Sequence, residues 1–472
     1  MTALDHPARH ADGPERPPER VPFPVVDEVS RHCLQEEEPE TVHIEVHLPG
    51  TPDPARLKAA FTEALRRHPR ILMREARGPW YRRRYEWELT AEPDVEVVTF
   101  PAPERDALKK ARTRSLSEAP PLSASPPIRL EVIASEHAAK AVAPGGDNGS
   151  GSEASTSDAP DSGSVLFLTI NHTALDGPAC LRVLATAAEL YGGQDNSPAA
   201  PPLRTASSDA PESAVDIGDA PSGWAPPARV SRGTPEPSPG NGMLVSELPV
   251  PRRPKGAPFT VNDQLMVATA LMIAHWNREH GARPKPFRIT MPVDDRPRSM
   301  EMPIGNGTRL VEVPFSAAEL TSEEWSPEDI GALLRRTAER TRALKALSRP
   351  QLGRGAALLT SPVLPVVLRA AVTRGLRRAA APWTSTTLLS NIGRVPYSLD
   401  FGDAGRAHAV WFSAPARLPR GLTVTTASTA GRLHVAFRWS KSLLSSGDGA
   451  HLRDLFEHYL HATEHTEEGT TP

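Results

Sequence analysis

Cysteine is nearly absent from this chain of 472 residues, which contains only Cys33 and Cys180. Two cysteines make no disulfide framework and no cysteine-based zinc site, which excludes the small disulfide-rich secreted folds. This usage is typical of a reducing compartment, so we expect a cytoplasmic protein without a bound metal. The first 20 residues also lack the apolar stretch of a secretory signal.

A large charge of one sign is missing as well. The chain has 54 Lys and Arg residues against 57 Asp and Glu residues, which gives a formal net charge of −3. This balance gives no support for nucleic acid or an anionic membrane as the main partner. Long apolar runs are also missing, because the most apolar later segment, 356–372, is broken by Pro362, Pro365 and Arg369. We expect that segment to form a buried helical piece.

Enough apolar sequence is present for a large core, since 39% of the residues are hydrophobic and 24% are charged. Residues 42–48 alternate apolar and polar side chains, which predicts a half-buried strand. Asp53 and Pro54 begin a segment with helical spacing, and Thr260 and Asp263 form a capping-box-like pair before another. Strands and helices interspersed in this way predict an α/β or α+β fold.

Two internal segments have no apolar periodicity. Residues 138–164 are rich in Gly, Ser, Asp and Ala, and residues 192–242 are rich in Pro, Ser and Ala. We expect both to be disordered, together with residues 1–20. The second segment then links an N-terminal lobe, residues 21–191, to a C-terminal lobe, residues 243–472.

The most informative stretch is His172-Thr173-Ala174-Leu175-Asp176-Gly177, which follows the apolar run of residues 165–170. The run predicts a buried strand, and residues 177–191 have the apolar spacing of a helix. A histidine at the end of a strand can accept a proton near pH 7. Position alone favours a plainer interpretation, in which Asp176 is a helix N-cap and His172 is a satisfied loop residue.

The same stretch resembles the HxxxDG active-site signature of the superfamily that includes condensation domains, BAHD-like acyltransferases and chloramphenicol acetyltransferase. Condensation domains usually carry HHxxxDG, and here Asn171 replaces the first histidine. Residues 53–69 also resemble the opening helix of condensation domains. The resemblance implies two chloramphenicol-acetyltransferase-like lobes that form a V-shaped pseudo-dimer, with His172 as the general base.

The resemblance implies roles for further residues. Arg296 would pair with Asp176 and fix the turn that aims His172, because a buried carboxylate needs a partner. The other interpretation is that Arg296 pairs with Asp294 or Asp295 on a solvated loop. The residues expected to line the tunnel between the lobes or to help an oxyanion are Gly177, Asn171, Ser390 and Asn391.

By this resemblance the chain is a free-standing condensation-type acyltransferase of natural-product biosynthesis. Its donor would be a thioester on the phosphopantetheine arm of an acyl or peptidyl carrier protein, or on CoA, and its acceptor an amine or alcohol. No other cofactor is implied, and we expect a monomer. No Gly-x-Ser-x-Gly elbow is present, and neither cysteine has the context of a nucleophile, so direct transfer is favoured over an acyl-enzyme. The alternatives are a CoA-dependent O-acyltransferase and a catalytically silent scaffold that binds carrier proteins.

Overall fold

The computed structural model describes residues 19–134, 163–198, 225–297, 299, 301–322, 324–347 and 359–464. Most of the three segments that the sequence predicts to be disordered therefore lies outside the described residues. Some residues at the ends of these three segments are described. Arg20 begins a strand, as does Ser164, and residues 193–198 and 225–242 are described.

The helices are α1 (Val25–His32), α2 (Pro54–Arg67), α3 (Ala107–Ser117), α4 (Gly177–Gly192), α5 (Val261–Glu279), α6 (Pro327–Ala346), α7 (Val366–Ala380) and α8 (Ser446–Ala462). The strands of the first half are β1 (Arg20–Pro22), β2 (Thr41–Leu48), β3 (Met73–Glu75), β4 (Glu86–Leu89), β5 (Val98–Thr99), β6 (Ile128–Ala134) and β7 (Ser164–Asn171). Those of the second half are β8 (Asn241–Pro249), β9 (Phe287–Asp294), β10 (Thr308–Phe315), β11 (Thr387–Arg394), β12 (Ala409–Ser413), β13 (Leu422–Thr429) and β14 (Arg432–Ser440).

The structure has two lobes, each built on a mixed sheet with its own hydrophobic core. The first sheet has the strand order β12-β2-β7-β6-β5, and the second has the order β10-β9-β11-β13-β14-β8. A small sheet, β1-β4-β3, belongs to the first lobe. The predicted two-lobed fold of mixed α and β structure is confirmed.

Strand β2 shows how a polar face can be buried. Both its apolar side chains and the intervening His43 and Glu45 are buried, so the strand is covered on both faces rather than half-buried as predicted. Arg112 of α3 makes this possible, because its Nε and Nη2 atoms donate to the two carboxylate oxygens of Glu45 at 2.8 and 2.7 Å. A buried carboxylate held by a bidentate guanidinium avoids most of the penalty of losing water.

Helix starts follow the predicted caps. The Asp53 side chain accepts a hydrogen bond from the Arg56 backbone N–H at 2.7 Å and caps α2. Thr260 and Asp263 form a capping box at the start of α5, where the Thr260 backbone N–H donates to Asp263 at 2.8 Å. These side chains satisfy backbone donors that the first helical turn leaves unpaired.

The predicted division of the chain at residues 192–242 differs from the structure in two places. Strand β12 follows the predicted linker, yet it pairs antiparallel with β2 and extends the sheet of the first lobe. Residues 225–240 lie against the second lobe, where Ala228 and Val230 are buried in its core and the Ala228 backbone N–H donates to the Pro286 carbonyl at 2.8 Å. Both differences arise from contacts between residues far apart in the sequence.

Helix α7 corrects the expectation of a buried helical piece over residues 356–372. The helix begins at Val366, after Pro365, and its buried side includes Arg369, which donates to the Arg83 carbonyl at 2.6 Å and pairs with Glu28 at 3.0 Å. These polar anchors turn the more apolar side of the helix outward. The large apolar side chains that remain exposed around this helix are Val363, Leu364, Val367, Leu368, Val372 and Leu376. Within the described parts of the chain, no helix is both long and apolar enough to cross a membrane.

Candidate active site

His172 lies at the junction of the two lobes, directly after the buried strand β7. Its backbone N–H donates to the Glu40 carbonyl at 2.8 Å, and its carbonyl accepts from the Asn306 side chain at 3.2 Å. Glu40 precedes β2 of the first lobe, and Asn306 precedes β10 of the second. The backbone that carries the imidazole is therefore held by both lobes.

The imidazole of His172 is oriented by one hydrogen bond. Its Nδ1 atom lies 3.0 Å from the carbonyl oxygen of Leu175. Because a carbonyl oxygen can only accept, Nδ1 carries the hydrogen of the neutral ring, and Nε2 is left with a free lone pair. No group of the described residues is bonded to Nε2, and His172 lines a cavity between the lobes. The ring is thus prepared to accept a proton at Nε2.

Asp176 has two separate structural functions. Its Oδ1 atom accepts from the Ala179 backbone N–H at 3.0 Å and caps α4, as the plainer interpretation of the sequence expects. Its Oδ2 atom accepts from Arg296 at 2.7 Å and from the Gly307 backbone N–H at 2.9 Å. The residue is 1% exposed. Asp176 therefore joins the turn after His172 to the second lobe.

Arg296 contacts Asp176 and Asp294, two of the three acids that the sequence offered, whereas Asp295 pairs with Arg309. Its Nη2 atom donates to Asp176, and its Nε and Nη2 atoms donate to Asp294 at 2.8 and 3.0 Å. Its Nη1 atom donates to the carbonyls of Pro303 and Gly305, each at 3.1 Å. A guanidinium has five N–H donors, and these bonds use all of them. Arg296 is thus committed to protein groups.

The loop before β10 packs tightly around this pair. A Cβ atom added to Gly307 would lie 2.3 Å from Nε of Arg296, so only glycine leaves room for the guanidinium. Asn306, on the same loop, donates to the carbonyls of His172 and Thr173 and to the Asp27 carboxylate. The sequence alone gave no function to Asn306.

Asp27 of α1 is a buried acid that the sequence did not identify. It accepts from Asn306 and from the Trp87 indole N–H, both at 2.9 Å. The pKa of the Asp27 carboxyl is raised to about 7, chiefly by burial and in part by the negative charge of Asp176, while the two hydrogen bonds act in the opposite direction. The charge of Asp27 therefore changes near neutral pH, two hydrogen bonds away from His172.

The raised pKa of Asp27 has a consequence for stability. The folded state holds the proton more tightly than the unfolded state, so the stabilisation is complete below about pH 4 and is lost as pH rises through about 7. The free energy of unfolding of wild type should therefore fall between pH 5 and pH 8, and Asp27→Asn, which has no carboxyl at this position, should not show this fall. We expect the stability of Asp27→Asn relative to wild type to rise by on the order of 1–3 kcal/mol between these pH values. Urea melts at the two pH values measure this gain. The exposed Asp106→Asn variant is the control, because its free energy of unfolding relative to wild type should be the same at both pH values. If the difference between Asp27→Asn and wild type is also the same at both pH values, the raised pKa of Asp27 is contradicted.

The cavity beside His172 has a volume of about 450 Å³ and is walled by both lobes. Of the residues predicted to line it, Gly177, Ser390 and Asn391 do so. Asn171 is not among the lining residues, which corrects its assignment. Its amide is instead buried, donating to the Pro120 carbonyl and accepting from the Thr173 backbone N–H. Asn171 therefore shapes the turn that precedes the motif.

Asn391 is held from three sides. Its side chain donates to Asn262 at 3.2 Å and accepts from the Gly393 backbone N–H at 2.8 Å and from the Thr426 hydroxyl at 3.0 Å. It thereby fixes a bulge in β11 where the strand passes the cavity.

Both cysteines are buried and unpaired. Within the described ranges, no group of three His, Cys, Asp or Glu side chains is placed to hold a metal ion.

This geometry can be set beside known proteins. No protein-family model matches the chain. Two uncharacterized proteins of Mycobacterium tuberculosis, Rv2305 from strain ATCC 25618 / H37Rv and MT2362 from strain CDC 1551 / Oshkosh, are each 27% identical to it over 408 residues. The match covers 80% of this chain and 84% of either relative.

Solved structures define the class of fold. The trichothecene 15-O-acetyltransferase TRI3 from Fusarium sporotrichioides aligns with a TM-score of 0.61 at 12% identity, covering 94% of this chain and 95% of that one. The first condensation domain of the CDA synthetase aligns with a TM-score of 0.57 at 14% identity, covering 95% and 96%. The starter condensation domain of rhizomide synthetase RzmA, solved with C8-CoA and Leu-SNAC, aligns with a TM-score of 0.56 at 14% identity, covering 94% of each chain. The chain has the fold of condensation domains and of this acetyltransferase, as the HxxxDG-like stretch predicted.

Proposed function

We propose that this protein is a condensation-type acyltransferase of natural-product biosynthesis that moves an acyl group from a thioester to an amine or alcohol. The observation that carries the proposal is the environment of His172. Its Nδ1 atom is held by the Leu175 carbonyl at 3.0 Å, while the ring lines a cavity large enough for a substrate. A base fixed in this way beside a cavity that can hold a substrate is the arrangement that general base catalysis requires.

In the proposed reaction, Nε2 of His172 takes the proton from the acceptor O–H or N–H. The acceptor oxygen or nitrogen forms a bond to the thioester carbonyl carbon, and the carbonyl oxygen becomes an oxyanion. Collapse of this intermediate breaks the C–S bond. The departing thiolate receives the proton from the imidazolium, which returns His172 to its neutral form and leaves an ester or amide.

Charge that develops on the carbonyl oxygen requires nearby donors or dipoles. Gly177 begins α4 and lines the cavity, so the partial positive charge of the helix N-terminus lies at its wall. Ser390, which carries a hydroxyl, lines the same space. These groups support the proposal that the oxyanion forms between the start of α4 and strand β11.

The choice of donor rests on the structural neighbours. One neighbour was solved with C8-CoA and Leu-SNAC, and another is described as an O-acetyltransferase. A thioester on CoA or on a carrier protein is therefore the proposed donor class. Purified protein incubated with acyl-CoA and acyl-carrier donors against a panel of amines and alcohols, analysed by mass spectrometry, tests the proposal. Absence of enzyme-dependent ester or amide across the panel would count against it.

Transfer should be direct, without an acyl-enzyme. Both cysteines are buried, and burial raises the pKa of the Cys180 thiol, which disfavours a thiolate nucleophile there. We expect labelled donor alone to leave no stable label on the protein, and addition of acceptor to yield labelled product. Intact-protein mass spectrometry measures the first result, with His172→Ala as the control for the second. A Ser, Thr or Cys that becomes acylated as fast as turnover would contradict direct transfer.

A further inference from the structure

Among the described residues, three arginines line the cavity: Arg377, Arg417 and Arg420. Arg377 lies on α7, whereas Arg417 and Arg420 lie between β12 and β13. Each of the acids that line the cavity in the described structure, Glu40, Asp176 and Asp294, is already paired with an arginine. Glu40 pairs with Arg417, and Asp176 and Asp294 are bonded to Arg296. The cavity therefore contains more guanidinium groups than its own carboxylates can neutralise.

Arg420 is held in place by neutral groups. Its Nε atom donates to the Ser385 hydroxyl at 3.1 Å, and its Nη2 atom donates to the hydroxyls of Ser385 and Thr290 at 3.0 and 3.2 Å. Both hydroxyl residues are buried. Among the described residues, no carboxylate forms an ion pair with Arg420, and no protein group accepts a hydrogen bond from its Nη1 atom. The guanidinium is thus fixed, charged and available on one side.

Arg377 is also without an acid. Its one hydrogen bond within the described parts of the chain is a long one, 3.4 Å, from Nη1 to the Cys33 carbonyl. The side chain is half-buried where α7 borders the cavity. Arg377 and Arg420 are therefore two guanidiniums, on different elements, that share one cavity and lack carboxylate partners.

The surroundings of Arg420 disfavour its charge. The pKa of Arg420 is lowered to about 10, chiefly by burial and in part by the positive charges of Arg417, Arg377 and Arg229, while Glu312 acts in the opposite direction. Glu312 is itself bonded to Arg288 at 3.2 Å. Gathering like charges in a partly dry cavity is unfavourable unless an anion enters to compensate them.

We propose that the cavity contains a binding subsite for an oxyanion, a carboxylate or phosphate, formed by Arg420 together with Arg377. A planar guanidinium presents paired donors that match two oxygens of such a group. The proposal rests on the proposed function, because it assigns the anion to a substrate of the same site. That anion is carried either by the acyl acceptor or by the arm of the thioester donor, and the recognition chemistry is the same for both.

The first experiment does not depend on catalysis. Melting temperatures are measured with inorganic phosphate or malonate against chloride at matched ionic strength, for wild type, Arg420→Gln and Arg378→Gln. Arg378 is exposed on α7 and does not line the cavity, so it is a control with the same loss of charge. We expect both anions to stabilise wild type and Arg378→Gln, and Arg420→Gln to bind them about 10- to 100-fold more weakly, the loss typical of a charge-assisted bond.

Arg377→Gln is a second variant, in case Arg420→Gln fails to fold, and it should also weaken the response. The proposal would be overturned if phosphate and malonate stabilised all variants equally, or if they did not stabilise wild type. A protein that binds the anions through Arg420 but makes no ester or amide would instead refute the proposed function alone. The two failures are therefore distinguishable.

The second experiment identifies the source of the anion. CoA carries phosphates and pantetheine does not, so their dissociation constants are compared in wild type and Arg420→Gln by calorimetry. A loss of at least about 10-fold for CoA, with pantetheine unchanged, assigns the subsite to the donor. If both constants are unchanged, turnover is compared for acceptor pairs that differ by a carboxylate and its methyl ester. Loss of the preference for the acid in Arg420→Gln assigns the subsite to the acceptor, and an unchanged preference there overturns the proposal.

Discussion

His172→Ala should lower turnover by at least about 10²-fold, the contribution typical of a general base. The substitution removes Nε2, the nitrogen that has a free lone pair and faces the cavity. It should not unfold the protein, because the only side-chain hydrogen bond of His172 in the described structure is the one to Leu175, at 3.0 Å. The backbone bonds of residue 172 to Glu40 and Asn306 remain possible in the variant.

Two further measurements separate a lost base from a disturbed site. Dissociation constants for donor and acceptor should change little, so the loss should appear in kcat rather than in KM. Added imidazole should restore part of the activity, since the substitution leaves room for the missing ring. His451→Ala is the matched control, because His451 is exposed on α8 and pairs with Glu279, away from the cavity lining. A folded His172→Ala variant with undiminished product formation would refute the assignment of the base.

The parts of the fold that depend on local sequence could be predicted. The hairpin of β13 and β14 turns at Ala430 and Gly431, which both have positive φ angles, 51° and 78°. A two-residue turn with positive φ angles matches the twist of the two strands, and it favours glycine. The glycine therefore indicates the turn in the sequence. The caps at Asp53 and Thr260 are local in the same sense, because donor and acceptor lie within three residues of each other.

Contacts between distant segments could not be predicted in this way. The pairing of β12 with β2 joins Ala409 to His47, and nothing in either short strand specifies its partner. The outward direction of the apolar side of α7 depends on the bonds of Arg369 to Arg83 and Glu28, which belong to the other half of the chain. Apolar composition alone therefore predicted burial where the structure shows exposure.

The candidate site divides along the same line. The motif residues His172 and Asp176 could be identified because one short stretch, from His172 to Gly177, resembles a known active-site signature, whereas their position alone favoured a plainer interpretation. Asp27 and Arg420 could not, since each acquires its properties from groups on several elements, such as the Trp87 and Asn306 donors around Asp27. Asn171 shows the limit of resemblance, because its position in the motif does not direct its amide into the cavity.

The pair of Asp176 and Arg296 should give the largest effect on stability. Arg296 pairs with both Asp176 and Asp294, so Arg296→Gln leaves two carboxylates together in a confined site. Removing one partner of a buried ion pair typically costs about 3–5 kcal/mol, and we expect Arg296→Gln to fall in this range. Asp176→Asn should cost less, on the order of 1–3 kcal/mol, because Arg296 keeps Asp294 and the new amide mainly loses hydrogen bonds.

The double variant Asp176→Asn, Arg296→Gln should lose less stability than the sum of the two single losses. In the double variant, neither substitution leaves the charge of the other residue unpaired. Asp294→Asn combined with Arg296→Gln should likewise be milder than Arg296→Gln alone, since one carboxylate then lacks its cation instead of two. Urea melts of the four variants and wild type give the free energies of unfolding. Strict additivity of Asp176→Asn and Arg296→Gln would mean that the two side chains do not interact.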